Sequence, residues 1–223
     1  MGGSDCEHIG RGLLAQPANT LSSLAYVVAG ALLLWRALAG RSHARAACIV
    51  FAVTVICVGI GSAVFHGPMP AWGRFAHDFS IAAVLAFVIG EDISLFRGAE
   101  VGRGFVIFGA LTGACAVVLA AWPDAANALD AVLVAGAVGA EVAAARSPTG
   151  RATGDVRVWI AIVGLLTIGA ILNALGRTDA PWCDTDSPVQ LHAVWHVTTA
   201  FVLWLYGVAV LGAREQARPK IRA

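Results

Sequence analysis

The sequence is poor in charged residues. Asp, Glu, Lys and Arg make up 13% of its 223 residues, whereas 58% are hydrophobic, and a soluble domain carries about 25% charged residues. This deficit argues against a soluble globular protein. The formal net charge is only +1, so the charge balance gives no indication of a nucleic-acid partner.

Several other features are missing from the sequence. No basic N-terminal region followed by a small-residue cleavage site is present, so we expect the N-terminus to be that of the mature chain. Internal repeats and low-complexity runs are absent, and the polar links are too short to form a soluble domain. The abundant Gly and Ala residues instead suit close packing of helices in a bilayer.

Seven apolar segments are each long enough to cross a bilayer, because a hydrocarbon core of about 30 Å takes about 20 helical residues. They cover residues 19–39, 46–66, 74–93, 102–121, 126–145, 157–175 and 189–212. The sequence therefore predicts an all-α integral membrane bundle of seven transmembrane helices. We expect an extracytoplasmic segment at 1–18, the membrane domain at 19–212 and a basic cytoplasmic tail at 213–223.

The distribution of Lys and Arg predicts how the bundle is oriented. Arg11, Arg74 and Arg177 fall on the N-terminal side of the membrane, and the other twelve basic residues fall on the opposite side. Basic residues concentrate in cytoplasmic loops, so the N-terminus is expected outside. The composition, rich in Ala, Gly, Val and Arg with a single Lys, is typical of a bacterium with a GC-rich genome and favours its plasma membrane.

Four histidines fall at one depth of the predicted bundle, roughly 5–12 Å below the outer surface at about 1.5 Å per helical residue. His66 ends the second segment, His77 is in the third, and His192 and His196 begin the seventh. His192 and His196 are four residues apart and share a helix face, a spacing that lets two imidazoles bind one zinc. His66 would complete three ligands and leave a fourth position for water.

Ser62 and Asp78 belong to the same layer. Ser62 precedes His66 by four residues, so its hydroxyl points to the same side, and Asp78 can exchange a proton with a zinc-bound water or orient a ligand. Readings without a metal also stand, because histidines hydrogen-bond across helix interfaces and His77 beside Asp78 can be a simple ion pair.

Four acidic residues in the predicted spans have no partner that the sequence indicates, and we expect a solvated or structural role for them: Glu91, Asp92, Asp130 and Glu141. Two cysteines, Cys6 and Cys183, both lie in outer segments. In an oxidising compartment they can form a disulfide, and the alternative is two free thiols.

Four stretches of the sequence resemble the alkaline ceramidases and their bacterial relatives, within the CREST superfamily of seven-span hydrolases that includes the adiponectin receptors. The stretches, in chain order, are CEHIGRGLLAQPANTLSSLAYVVAG, GIGSAVFHG, AHDFS and WCDTDSPVQLHAVWHVTTAF. They carry the Cys-Glu and Asn-Thr pairs, the Ser-x-x-x-His of the second span, the Asp of the third, and the His-x-x-x-His of the seventh. Between the third and seventh spans the resemblance is one of hydropathy.

The resemblance implies a role for each matching residue. His66, His192 and His196 would hold zinc, Asp78 would act on the zinc-bound water as general base and acid, and Ser62 would contact that water or the oxyanion. The implied activity is hydrolysis of the amide bond of a ceramide-like membrane lipid, releasing a fatty acid and a long-chain amine.

The sequence departs from the family pattern after the aspartate of the third span. The family has Pro three residues later, whereas Ile81 follows Asp78 at that distance. A shift of one residue puts His77 in the place of the aspartate, so His77 is the alternative group for proton transfer.

A second departure concerns calcium, which the resemblance implies for the N-terminal segment. Glu7 and Asp5 are candidate ligands, but Ile9 and Gln16 stand where further ligands are expected. Since calcium takes six to eight oxygen ligands, the sequence argues against a complete calcium site.

Two other classes of function fit a polar cluster in a membrane bundle. A haem-binding electron carrier would use paired histidines as axial ligands, but His192 and His196 share one face. A receptor or transporter would bind a ligand or a proton without chemistry, and the sequence does not separate that class from a hydrolase.

Overall fold

The structure is a computed structural model that describes residues 3–39, 45–98 and 101–217. Within these ranges the regular structure is helical, and no β-strand forms. Residues 218–223 of the predicted cytoplasmic tail lie outside the described residues.

The described helices follow the predicted segments closely. They are α1 (Pro17–Ala39), α2 (Arg45–His66), α3 (Gly73–Phe96), α4 (Val101–Ala121), α5 (Ala126–Ala144), α6 (Pro148–Thr153), α7 (Val156–Leu175), α8 (Leu191–Leu205) and α9 (Gly212–Ala217). A 3₁₀ turn at Pro123–Ala125 precedes α5, and a π-helical segment at Tyr206–Leu211 joins α8 to α9. Seven helical stretches are long and apolar enough to cross a membrane, which confirms the all-α, seven-span prediction.

Large apolar side chains cover the outside of the bundle. Val106 of α4, Val132 of α5 and Ile160 of α7 are 71%, 68% and 68% exposed. Such exposure is unfavourable in water and is expected for side chains that contact lipid. Helix α3, in contrast, is the most buried of the seven.

Helix α3 lies in the middle of the bundle, where it packs against α2, α4 and α5. Helix α1 packs against α2 and α8, and α7 packs against α8. Aromatic rings fill the centre of the core: Phe51 lies 5.5 Å from Phe87 and 5.4 Å from Tyr206 between ring centroids. This packing holds α1, α2, α3 and α8 together, and these are the helices that carry the predicted site.

Two glycines allow α1 and α2 to approach closely. A Cβ atom on Gly59 would lie 2.9 Å from the backbone nitrogen of Val27, and one on Gly30 would lie 2.8 Å from the carbonyl oxygen of Ala52. Only glycine avoids these overlaps, as at small-residue interfaces between membrane helices.

The predicted site residues gather at one end of the bundle, which we call the histidine end. Because consecutive spans alternate in direction, the C-terminus of α2 lies beside the N-termini of α1, α3 and α8 there. His66 is the last residue of α2, and α8 begins at Leu191.

At the opposite end, a buried ion network joins three helices. Arg214 of α9 donates to Asp92 Oδ1 of α3 at 2.9 Å and to Glu141 Oε2 of α5 at 3.1 Å, and its second terminal nitrogen donates to Glu141 Oε1. The sequence assigned Arg214 to the tail and indicated no partner for either carboxylate. In the structure its side chain is 5% exposed.

The short helix α6 lies between the predicted spans 126–145 and 157–175, in residues for which the sequence predicted no helix. Ser147 caps it by accepting a hydrogen bond from the backbone N–H of Gly150 at 3.0 Å, and Pro148 occupies its first turn. Both residues favour a helix start.

Candidate metal centre

Three imidazoles from two distant parts of the chain meet at the histidine end. The ring centroids of His66 and His192 are 5.0 Å apart, those of His66 and His196 are 5.2 Å apart, and those of His192 and His196 are 4.5 Å apart. One ligand nitrogen of each ring lies within 4.8 Å of those of the other two. The group is mostly buried and can hold a metal ion.

The His66 ring is held through its Nδ1 atom. Nδ1 lies 2.7 Å from the side-chain oxygen Oε1 of Gln16, which is fully buried at the start of α1. The Nε2 atom of His66 is buried and has no hydrogen-bond partner. Buried polar atoms are almost always paired, so this nitrogen is available to a ligand such as a metal ion.

The His192 ring follows the same pattern. Its Nδ1 lies 2.8 Å from Oδ1 of Asn173 on α7, and its Nε2 is buried without a hydrogen-bond partner. Because the amide oxygen only accepts, Nδ1 carries the hydrogen and Nε2 keeps its lone pair. Metal-ligating histidines characteristically donate their other ring N–H to such an oxygen.

His196 completes the set from the next turn of α8. Its Nδ1 lies 3.2 Å from the carbonyl oxygen of Asn19 and 2.9 Å from the Ser22 hydroxyl, both on α1. A carbonyl oxygen cannot donate, so Nδ1 is again the donor and Nε2 faces the other imidazoles. The residues present therefore fit a metal ion: three lone pairs converge, and each opposite nitrogen is hydrogen-bonded.

Ser62 lies beside this group, one turn before His66 on α2. Its Oγ is 3.3 Å from His196 Nε2 and 2.8 Å from the Ser23 hydroxyl, and the residue is 1% exposed. The hydroxyl is thus close to the position where the three ligand nitrogens converge.

His77 lies at the edge of the histidine group, and Asp78 is bonded to it. Its ring centroid is 6.1 Å from that of His66, and its ring stacks on Phe65 at 4.7 Å. Asp78 Oδ1 is 2.8 Å from His77 Nδ1, while Oδ2 is 3.7 Å from Arg74 Nε. The Asp78 carboxylate therefore lies between His77 and Arg74 and contacts both.

The N-terminal segment lies across the histidine end and is covalently attached there. Cys6 and Cys183 form a disulfide, and the Cys6 N–H donates to the Thr178 hydroxyl at 3.2 Å. Asp5 Oδ1 lies 3.7 Å from His192 Nδ1. These contacts fix residues next to the proposed ligands.

The two candidate calcium ligands do not gather into a common group. The Glu7 carboxylate accepts hydrogen bonds from the backbone N–H groups of Ala18 and Asn19, at 2.6 and 2.9 Å, and so caps α1. Asp5 accepts from the Ser4 hydroxyl at 3.0 Å. In the described part of the chain, the histidine group is the cluster of three or more His, Cys or acidic side chains with metal-binding spacing.

The sequence analysis missed the residues that hold the outer nitrogens. Asn173 is an amide in an otherwise apolar span, which is a signal that could have been used, since polar side chains at membrane depth are costly unless paired. Gln16 was considered only as a substitute for a calcium ligand. Neither contact follows from spacing along the chain, because each joins different spans.

Comparison with known proteins agrees with this geometry. No curated protein matches the chain. A family model described as Ceramidase matches residues 7–220, a range that includes all three histidines and the N-terminal segment from Glu7 onwards. The match covers nearly the whole chain, and the chain therefore belongs to the Ceramidase family.

Proposed function

We propose that this chain is a zinc-dependent membrane hydrolase that cleaves the amide bond of a ceramide-like lipid. Membership of the Ceramidase family supports the reaction class. The observation that carries the metal is the pair of buried, unpartnered Nε2 atoms on His66 and His192 beside His196.

Zinc suits this donor set. Three neutral imidazoles with a fourth position left open are typical of catalytic zinc, whereas structural zinc sites are closed by four protein ligands. When bound, zinc polarises a carbonyl oxygen and makes a water nucleophile available at neutral pH.

Ser62 is proposed to stabilise charge on the substrate oxygen. Its hydroxyl lies 3.3 Å from His196 Nε2, and Ser23 holds it from the other side at 2.8 Å. Ser23 donates to the Asn19 carbonyl, so the Ser62 hydroxyl would turn from Ser23 to the substrate oxygen. A hydrogen-bond donor to a developing oxyanion is worth about 3 kcal/mol in related reactions.

His77 is proposed to move the proton to the leaving nitrogen, with Asp78 as its orienting partner. The His77 ring centroid lies 6.1 Å from that of His66, and its Nδ1 is bonded to Asp78. This arrangement leaves Nε2 of His77 for the substrate. Direct proton transfer by Asp78 is the alternative.

The substrate is expected to reach the site from the bilayer at headgroup depth. Trp72 precedes α3, Trp122 follows α4 and Trp182 precedes α8, and all three are largely exposed at the histidine end. Exposed tryptophans favour the membrane–water interface, which is the depth of the amide in a ceramide-like lipid. From the arginine distribution, we propose that this end faces the outside of a bacterial plasma membrane.

The test compares His196→Ala with His8→Ala, a matched exchange at an exposed histidine outside the group. We expect wild type and His8→Ala to contain about one zinc and to release fatty acid from lipid amides. His196→Ala should lose both. Equal hydrolysis by wild type and His196→Ala would contradict the mechanism. Wild type that binds zinc but hydrolyses no lipid amide would indicate a receptor or transporter. A haem absorbance band in the purified protein would indicate an electron carrier.

A further inference from the structure

We propose that Gln16 is a positioning residue that selects the metal-binding tautomer of His66, and that Glu7 in turn sets the orientation of Gln16. This inference rests on the proposed function, because it concerns the same histidine group. It adds a role for the N-terminal segment, which contributes none of the three imidazoles.

The first step is the orientation of the Gln16 amide. Its Nε2 donates to the backbone carbonyl of Glu7 at 2.9 Å. A carbonyl oxygen only accepts, so the NH₂ end of the amide must face Glu7. The oxygen Oε1 is then left to face His66.

The second step is the consequence for the imidazole. Oε1 lies 2.7 Å from His66 Nδ1, and an amide oxygen cannot donate. Nδ1 must therefore carry the hydrogen, which leaves the lone pair on Nε2, the buried nitrogen without a hydrogen-bond partner. In the opposite tautomer the hydrogen would be on Nε2, where the metal must bind. The lone pair of Nδ1 would then face a lone pair of Gln16 Oε1, which is unfavourable.

The third step is the way in which the contacts from Glu7 through Gln16 to His66, which we call the Gln16 relay, are held in place. The Glu7 carboxylate caps α1 through Ala18 and Asn19, where a negative charge is favoured. The neighbouring Cys6 is joined to Cys183. The backbone N–H of Gln16 also donates to the His66 carbonyl at 3.0 Å, so the residue is fixed to the end of α2 by backbone and side chain together.

The experiment exchanges Gln16 for Met, which has similar length but no acceptor, and for Glu, which keeps an acceptor oxygen. Gln190→Met is the matched control, because Gln190 is also buried and its amide bonds only to the carbonyls of Asp184 and Ser187. Zinc affinity is measured in detergent by competition with a chromogenic chelator. Nitrogen-15 NMR of labelled histidines reports the tautomer of His66 in metal-free protein.

We expect Gln16→Met to weaken zinc binding about 10- to 100-fold, the usual effect of losing such a partner, and to remove the Nδ1–H signal of His66. Gln16→Glu should bind zinc more tightly than Gln16→Met but less tightly than wild type, because it keeps an acceptor for His66 and loses the donor to the Glu7 carbonyl. Gln190→Met should match wild type. Wild-type affinity and tautomer in Gln16→Met would overturn the proposal. If Gln16→Met does not fold, finding His66 protonated at Nε2 in the metal-free wild type would overturn it instead.

These readouts are independent of the proposed reaction. If wild type binds zinc but hydrolyses no lipid amide, the proposed function fails while the relay is still measured by affinity and tautomer. If wild type hydrolyses lipid amides and Gln16→Met binds zinc normally, the function stands and the relay fails.

Discussion

At the scale of single residues, the site is defined by what each imidazole does with its two nitrogens. In His66, His192 and His196 the Nδ1 atom is hydrogen-bonded to an amide or carbonyl oxygen, and Nε2 faces the other rings. His77 differs, because its Nδ1 is bonded to the carboxylate of Asp78. A carboxylate partner suits an imidazole that gains a proton during a reaction.

This difference leads to a prediction for the proton-transfer group. His77→Gln should lower turnover at least about 100-fold, the lower range for a lost acid–base group, with zinc content unchanged. Asp78→Asn should lower turnover less, because the ring remains. Turnover and bound zinc are measured on the same samples, with His8→Gln as control. A larger loss in Asp78→Asn than in His77→Gln would assign the chemistry to the carboxylate.

At the scale of helices, the spans were predictable and the contacts between them were not. Apolar length alone defines a membrane helix, so each predicted span lies within a few residues of a described one. The link that forms α6 has no such length, and its helix depends on the Ser147 cap. The sequence placed Arg214 in the basic tail, where an arginine is expected to be solvated. Its carboxylate partners lie on α3 and α5, far away along the chain, so the sequence alone does not indicate them.

The close crossing of α1 and α2 gives a second prediction. In Gly59→Ala the added Cβ would lie 2.9 Å from Val27 N and 3.0 Å from the Ser23 carbonyl, so α1 must move. We expect the free energy of unfolding to fall by about 1–3 kcal/mol. We also expect weaker zinc binding, because Asn19 and Ser22 of α1 contact His196 Nδ1. Gly109→Ala, where no atom lies within 4 Å, is the control in thermal unfolding and chelator competition. Equal behaviour of the two variants would contradict this expectation.

The ion network at the opposite end gives a third prediction. Arg214→Met leaves the buried Asp92 and Glu141 carboxylates without their cation, and breaking a buried pair costs about 3–5 kcal/mol. We expect a lower unfolding midpoint in detergent, partly restored by adding Asp92→Asn. An unchanged midpoint in Arg214→Met would show that the network does not stabilise the bundle.

At the scale of the whole molecule, the two ends of the bundle carry different groups of polar residues. The histidine end carries the disulfide, three of the exposed tryptophans and the proposed chemistry. The other end contains the buried ion network of Arg214, Asp92 and Glu141. The shared depth of the histidines could be predicted because alternating spans return to the same side. The relay through Gln16 could not, since it depends on a loop that folds back onto the end of α2.

The orientation of the bundle is a fourth prediction. In a background with Cys48, Cys57 and Cys115 replaced by Ala, we introduce one cysteine at Asp124 or at Arg97. Asp124 is exposed at the histidine end and Arg97 at the other. A membrane-impermeant maleimide should label position 124 in intact cells and position 97 only after permeabilisation. The reverse pattern would place the site on the cytoplasmic side.

The bond between Cys6 and Cys183, 177 positions apart, also has a consequence for synthesis. The ribosome makes His66 early, whereas Cys183 comes in the link before α8, and His192 and His196 come in α8 itself. The cross-link must wait for Cys183, and the proposed metal group must wait for the α8 histidines that follow it. A nascent chain stopped before Cys183 therefore has one proposed ligand of three and an unattached N-terminus, so the proposed site can form only after both parts of the chain have been made.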